Sequence, residues 1–181
     1  MRRPLLLVAV LVLAGCGAAE VDPVGPVRAA EPQRLELNWR ERYPPTGPGL
    51  HFAVDALEVG ADGWSAEIAV TNTTRIPFEI GEGESALQFG LMLFASGELE
   101  ELEAAAQNGS LPAPRLSVGL DPPPPEALAP NATWRTTISA PGSLADGSYV
   151  RVSFGPFRAR GEPPGEMEPV VVWITDRSHR L

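Results

Sequence analysis

The chain contains no lysine. Its 14 positively charged side chains are all arginines, set against 23 acidic ones, and the formal net charge is −9. An acidic chain repels phosphate backbones, so nucleic-acid binding is disfavoured. The missing lysine, beside 20 prolines and 18 glycines, reflects GC-rich coding rather than a function. Histidine is almost as scarce. Of the two, His179 stands in the C-terminal tail, and His51 has no His or Cys at metal-ligand spacing. No G-x-S-x-G elbow supplies a serine nucleophile, and no D-x-D-x-D spacing wraps calcium. Cysteine is reduced to one residue, Cys16, so an intrachain disulfide is excluded and stability rests on core packing.

What is present begins with Arg2 and Arg3, an apolar run from Leu5 to Leu13, and the small residues Ala14 and Gly15. A positive n-region, a short h-region and a small-residue processing site describe a secretory signal peptide. The run is too short to span a bilayer, which takes about 20 residues. Leu13-Ala14-Gly15-Cys16 resembles the lipobox of bacterial lipoproteins: a branched apolar residue, a small one, Gly or Ala, then Cys. The resemblance implies a diacylglyceryl thioether on Cys16, cleavage before it, and acylation of the new amino terminus. Residues 1–15 would then be removed. The mature protein would be anchored outside the cytoplasm, on the cell membrane or on the outer membrane of a two-membrane cell. Each buried methylene contributes about 0.8 kcal/mol, and two or more chains hold where one does not. With Cys16 committed to lipid, no thiol remains for a zinc site or a nucleophile, and the covalent lipid is the only added group expected.

Residues 16–33 are small, Pro-punctuated and without periodicity, which reads as a flexible tether. Residues 34–181 carry the pattern of one domain. "WSAEIAV" places Trp64, Ala66, Ile68 and Val70 on one face, the mark of a half-buried strand. "RIPFEI" repeats the alternation, and Pro77 within it argues for an edge strand. "LQFGLMLF", apolar on both phases, suggests a more buried strand. "TWRTTIS" groups Trp134, Thr136 and Ile138, "YVRVSF" turns Val150, Val152 and Phe154 inward, and "VVVWIT" closes the chain. In "HFAVDALEV" the phase slips from Phe52 and Val54 to Leu57 and Val59, which predicts a bulge near Asp55. "SGELEELEAAAQNG" is the exception: Leu99, Leu102 and Ala106 form a helical stripe that opens with glutamates and stops at Gly109. About eight strands and one short helical insertion predict an all-β sandwich.

"LADGSYVRV" resembles the corner before strand F of immunoglobulin-like domains. The resemblance implies an Ig-like β-sandwich in which the Tyr149 hydroxyl bonds a nearby backbone group, although Arg151 stands where the antibody pattern has Cys. The Asn-x-Thr turn of "VTNTTRIPFEI" also resembles turns of bacterial Ig-like modules.

Chemistry is thinly signalled. Glu82 and Glu84 share a Gly-rich loop, and Glu98, Glu100, Glu101 and Glu103 line the helix as a solvated acidic face. Trp64 and Trp134 fall on core phases. Trp39, near the tether, and Trp173, opposite Val172 and Ile174 in phase, are expected at the surface and are the candidate partner-binding residues. "DPPPP" reads as a stiff inter-strand connection. No catalytic or metal-binding set is assembled. The expected function is therefore a membrane-anchored, non-enzymatic binding or adaptor module of the cell envelope, recognising an unknown protein or small ligand. The alternatives are an envelope hydrolase using His51 or the Glu82/Glu84 loop, and a structural accessory subunit of an envelope complex.

Overall fold

The computed structural model describes residues 28–81, 88–165 and 167–181. The expected signal peptide, Cys16 and the Glu82/Glu84 loop lie outside the described residues.

In chain order the elements are β1 (Gln33–Tyr43), β2 (Leu50–Val59), β3 (Gly63–Asn72), β4 (Phe78–Ile80), β5 (Gly90–Phe94), α1 (Leu99–Asn108), β6 (Arg115–Leu116), β7 (Gly119–Asp121), β8 (Ala127–Leu128), β9 (Thr133–Pro141), β10 (Tyr149–Ala159), β11 (Val170–Ile174) and β12 (His179–Arg180). They build two antiparallel sheets, and the chain is an all-β sandwich. The first sheet runs β1-β2-β3-β9-β7. The second is organised around β10, with β5 and β4 along one side and β11 and β12 on the other; β6 lies beyond β5 and β8 beyond β4. Strand segments outnumber the eight or so expected because β6, β7, β8 and β12 are only two or three residues long, too short for a period of two to register.

Inward phases meet as the alternation requires. Phe52, Phe89, Phe154 and Phe157 are buried at the centre, with Phe89 edge-on to Trp134 at 5.3 Å and to Phe157 at 5.9 Å. Such pairs add about 0.5–1.5 kcal/mol beyond area burial. The bulge at Asp55 is present: Val54 pairs with Ile68, but Ala56 pairs with Glu67. Pro77 does not mark an edge, because β4 begins only at Phe78 and is flanked by β10 and β8. Standing just before the ladder, Pro77 has no donor to lose, and its carbonyl accepts from Arg160 N–H.

Strand β10 is buried on both faces from Val150 to Phe157. Val150, Val152 and Phe154 enter the main core, whereas Tyr149 packs on the opposite face with Met92, Phe94 and Leu102 of the cluster under α1. This corrects the expected corner. The Tyr149 ring packs so close to Gly97 that a Cβ there would come within 2.7 Å of it, and among the described residues its hydroxyl makes no hydrogen bond. Arg151 shares that face and is fully buried. Its Nη1 donates to the carbonyls of Thr175 (2.9 Å) and Asp176, and its Nη2 to those of Gly97 (2.8 Å) and Glu98 (3.1 Å). Burial lowers its pKa from the usual value, while the charges of Asp176, Glu41 and Glu101 pull it back.

The two long sides of the sandwich are closed differently. On one, the chain passes from β6 in the second sheet to β7 in the first, then returns through Pro122–Pro125 to β8. The Pro122 carbonyl accepts from Thr136 Oγ1 at 2.8 Å and Trp134 Nε1 at 3.4 Å. On the other side, Glu41 of β1 reaches across: it accepts from Trp173 Nε1 (2.8 Å) and from the backbone N–H groups of Asp176 and Arg177 (3.0 Å each).

Both expected surface tryptophans are corrected. Trp39 is 7 % exposed, because it shares the inward phase of β1 with Leu35 and Leu37. Trp173 is half-buried, its indole stacked on Phe52 at 5.5 Å and 3°; Val172 faces solvent instead. Of the expected tether, residues 28–33 are described, and they lie against the domain. Ala30 N–H donates to the Leu144 carbonyl and Asp146 N–H to that of Arg28, so the chain is docked before Arg34. Leu181 meets Gly147 and Ser148 at the same end. The loops at residues 44–49 and 73–77 lie at the opposite end.

Candidate functional site

The outer face of the first sheet is open to solvent, and the register sorts its side chains into rows across four strands. One row reads Arg40, Ala53, Ala69, Arg135; the next, toward the loop at residues 44–49, reads Arg42, His51, Thr71, Thr133. Neighbouring strands stand about 4.8 Å apart, so the arginines of the first row rise at either end of a methyl-only floor. Small side chains between long ones leave a depression. It measures about 310 Å³ and is lined by the two alanines with Arg40, Glu41, Arg42, His51, Phe52, Thr71 and Arg135. Ala69 is only 4 % exposed although it lies on the outer phase, because the taller neighbours shelter it.

The bulge sets a carboxylate beside the basin, and Glu41 of its lining turns its own carboxylate to Trp173 and to the Asp176 and Arg177 N–H groups. Asp55 accepts Arg40 Nη2 on one oxygen at 2.5 Å and Arg135 Nη1 on the other at 3.4 Å. Two arginines from strands on opposite sides of the floor thus converge on one carboxyl group. Arg42 is not so engaged: its Nη2 donates to the Gly47 carbonyl, and its Nε is buried with no partner among the described residues. Beside it, burial and then the Arg42 charge push the His51 pKa below the ordinary value of 6.5, so the imidazole is neutral at pH 7. The Thr71 and Thr133 hydroxyls stand 2.8 Å apart at the same end.

Toward the docked amino-terminal end the sign reverses. Arg34 bonds Glu36 at 3.1 Å and Glu67 at 2.9 Å, with Glu58 at 3.8 Å. Those bonds raise the Arg34 pKa, the Glu67 contact contributing most. One arginine faces three carboxylates there, whereas at the basin three arginines stand with Asp55 and Glu41. The face is polarised along the strands.

Of the candidate functional residues named from the sequence, the basin includes His51 alone. Trp39 and Trp173 belong to the interior and to the Glu41 closure, and Tyr149 lies on the far side of the second sheet. His51 does not form a dyad with Asp55, whose two oxygens are taken by arginines. Among the described residues no group of three or more His, Cys, Asp and Glu is placed to hold a metal ion, and no helix is long and apolar enough to cross a membrane. Sequence reasoning missed Arg40, Arg42, Arg135 and the two alanines. One signal was available: Ala53 and Ala69 occupy outward phases, where polar residues are the rule. Neither a family model, nor a curated protein, nor a solved structure matches this chain.

Proposed function

We propose that this protein is a lipid-anchored, extracytoplasmic, non-enzymatic binding module of the cell envelope, and that the open face of its first sheet is the surface that engages a ligand or partner. The observation that carries the reading is the placement of the basin relative to the chain's entry point. The chain docks at Leu144–Asp146, and β1 then runs to the far end, putting roughly 30 Å between that entry and Arg42. An acyl group on Cys16 would hold the docked end nearer the bilayer and leave the basin, toward the far end of the open face, clear of it. The signal-peptide pattern and the Leu13–Cys16 resemblance support the anchor, and the arginine-rimmed concavity supports binding.

Two measurements test it. Mass spectrometry of the protein purified from its native cells is expected to show residues 1–15 removed and Cys16 carrying diacylglycerol. Cys16→Ala is expected to move the protein out of the membrane fraction. An intact Met1 on a cytosolic product would overturn the anchor. Crosslinking in intact cells then tests the binding role, with recovery of a defined partner or ligand expected from the wild type.

A further inference from the structure

We propose that the alanine-floored basin is a receptor for a compact carboxylate ligand, held by Arg42 with Arg40 and Arg135 and assisted by the Thr71 and Thr133 hydroxyls. This rests on the reading of the protein as a binding module and names the chemistry that its site would take.

The molecule already displays the recognition chemistry. Asp55 is seated with one oxygen on Arg40 and the other on Arg135, so guanidinium groups from opposite sides of the floor are positioned to converge on a planar anion. Arg forks suit this geometry, giving charge-assisted bonds roughly twice as strong as neutral ones. At the Arg42 end the Glu41 carboxylate is already engaged by Trp173 Nε1 and the Asp176 and Arg177 N–H groups, and Arg42 keeps a buried, unpartnered Nε among the described residues. The floor is built for access, since only methyl groups separate the arginines. A volume of about 310 Å³ accommodates a body of one sugar ring or a short diacid, not a folded surface. The sign of the site is local: the chain is acidic overall at −9, yet here cations outnumber carboxylates.

His51 provides an internal reporter. The charged and polar groups that line the basin with it are Arg40, Glu41 and Arg42 from β1, Arg135 from β9 and the neutral Thr71 from β3, with Asp55 bound to Arg40 and Arg135; of these Arg42 acts on its titration. An anion bound among them favours the protonated imidazole, so ligand binding raises the His51 titration midpoint and binding tightens as pH falls. His179, paired with Val150 at the other end of the molecule, serves as the unmoved control.

The experiment uses the full chain in detergent micelles, with glutarate and galacturonate as carboxylate probes, galactose as the neutral match and inorganic phosphate as the competing anion. Calorimetry follows binding, and NMR follows the two histidines. Both carboxylates are expected to bind, with galactose inert, affinity falling as salt rises, and the His51 midpoint shifting upward while His179 stays fixed. Arg42→Ala and Arg135→Ala are each expected to weaken binding at least tenfold, Ala69→Leu to abolish it by filling the floor, and Arg34→Ala to leave it unchanged. Thermal melts establish that each variant is folded. Failure of both carboxylates to bind the folded wild type overturns the proposal, as does phosphate binding more tightly than either. Envelope crosslinking separates this from the broader reading. A partner still captured while no carboxylate binds leaves the binding module standing and removes its ligand class. Carboxylate binding by a protein that is not acylated keeps the ligand class and removes the lipid anchor.

Discussion

Arg151 shows how much one side chain can organise. Its guanidinium joins the turn before α1, through Gly97 and Glu98, to the segment after β11, through Thr175 and Asp176. It also lies over the Phe94 ring at 5.5 Å. Each buried carbonyl left without a donor costs about 1–3 kcal/mol. Arg151→Met is therefore expected to destabilise the protein by about 3 kcal/mol or more. Arg151→Lys should recover only part of that, since a lysine presents three donors from a point rather than a planar fork. Urea denaturation of the three proteins checks this, and equal midpoints for wild type and Arg151→Met would contradict it. Asn72 plays a similar part at the other end. Fully buried, it donates to the Ile76 and Leu128 carbonyls and accepts from the Thr74 N–H and hydroxyl. The Asn-x-Thr turn was legible in the sequence. Arg151 was not, because period-two alternation reads every polar residue in a strand as outward, and it carries no sign that α1 covers that outward face.

At the level of elements, local chemistry was readable and long-range register was not. The slip at Asp55, the core phases of β3, β9 and β10, and the helix stop at Gly109, with φ 72°, all follow from neighbours in sequence. The basin needed β1, β2, β3 and β9 brought side by side, and Arg40 and Arg135 are far apart along the chain. No single-strand pattern encodes which residues will share a row. The same holds for the Glu41 closure, which decided the fate of Trp173. The paired edge of β11 is held to β10 through a register shift at Gly155, where φ is 122° and a Cβ would meet the Val171 carbonyl at 2.9 Å. Beyond that ladder, the three bonds to Glu41 join the packing of Trp173 on Phe52 and Tyr43 in tying the C-terminal segment to the first sheet. Glu41→Gln keeps the volume but replaces one acceptor oxygen with a donor that faces an N–H. Faster amide exchange at Asp176 and Arg177 is expected, by tenfold or more, with little change in β2 and β3. Uniform acceleration throughout the domain would show instead that the bond governs global stability.

For the whole molecule, the arrangement of charge has a consequence for stability as well as for binding. The folded protein holds His51 neutral by burial and by the adjacent Arg42 charge, whereas in the unfolded chain the same imidazole titrates near 6.5. Between the unfolded value and the lower folded one, the unfolded state binds the proton and the native state does not. Stability therefore falls as pH drops through 6.5 toward the folded pKa, and no further His51 contribution is lost below it. The window lies above the ordinary carboxylate range, so the upper part of the acid limb belongs to the histidine. His51→Gln removes a group that must charge beside Arg42. The variant is expected to lose less stability than wild type between pH 7.5 and pH 5, measured as the shift of the urea midpoint at each pH. A saturating carboxylate in the basin should shrink the wild-type slope in the same way, because it stabilises the protonated imidazole in the native state. Identical slopes for wild type and His51→Gln without ligand would mean that the arginine-rimmed face does not oppose the proton, and the electrostatic picture of the basin would have to be redrawn from Arg42 outward.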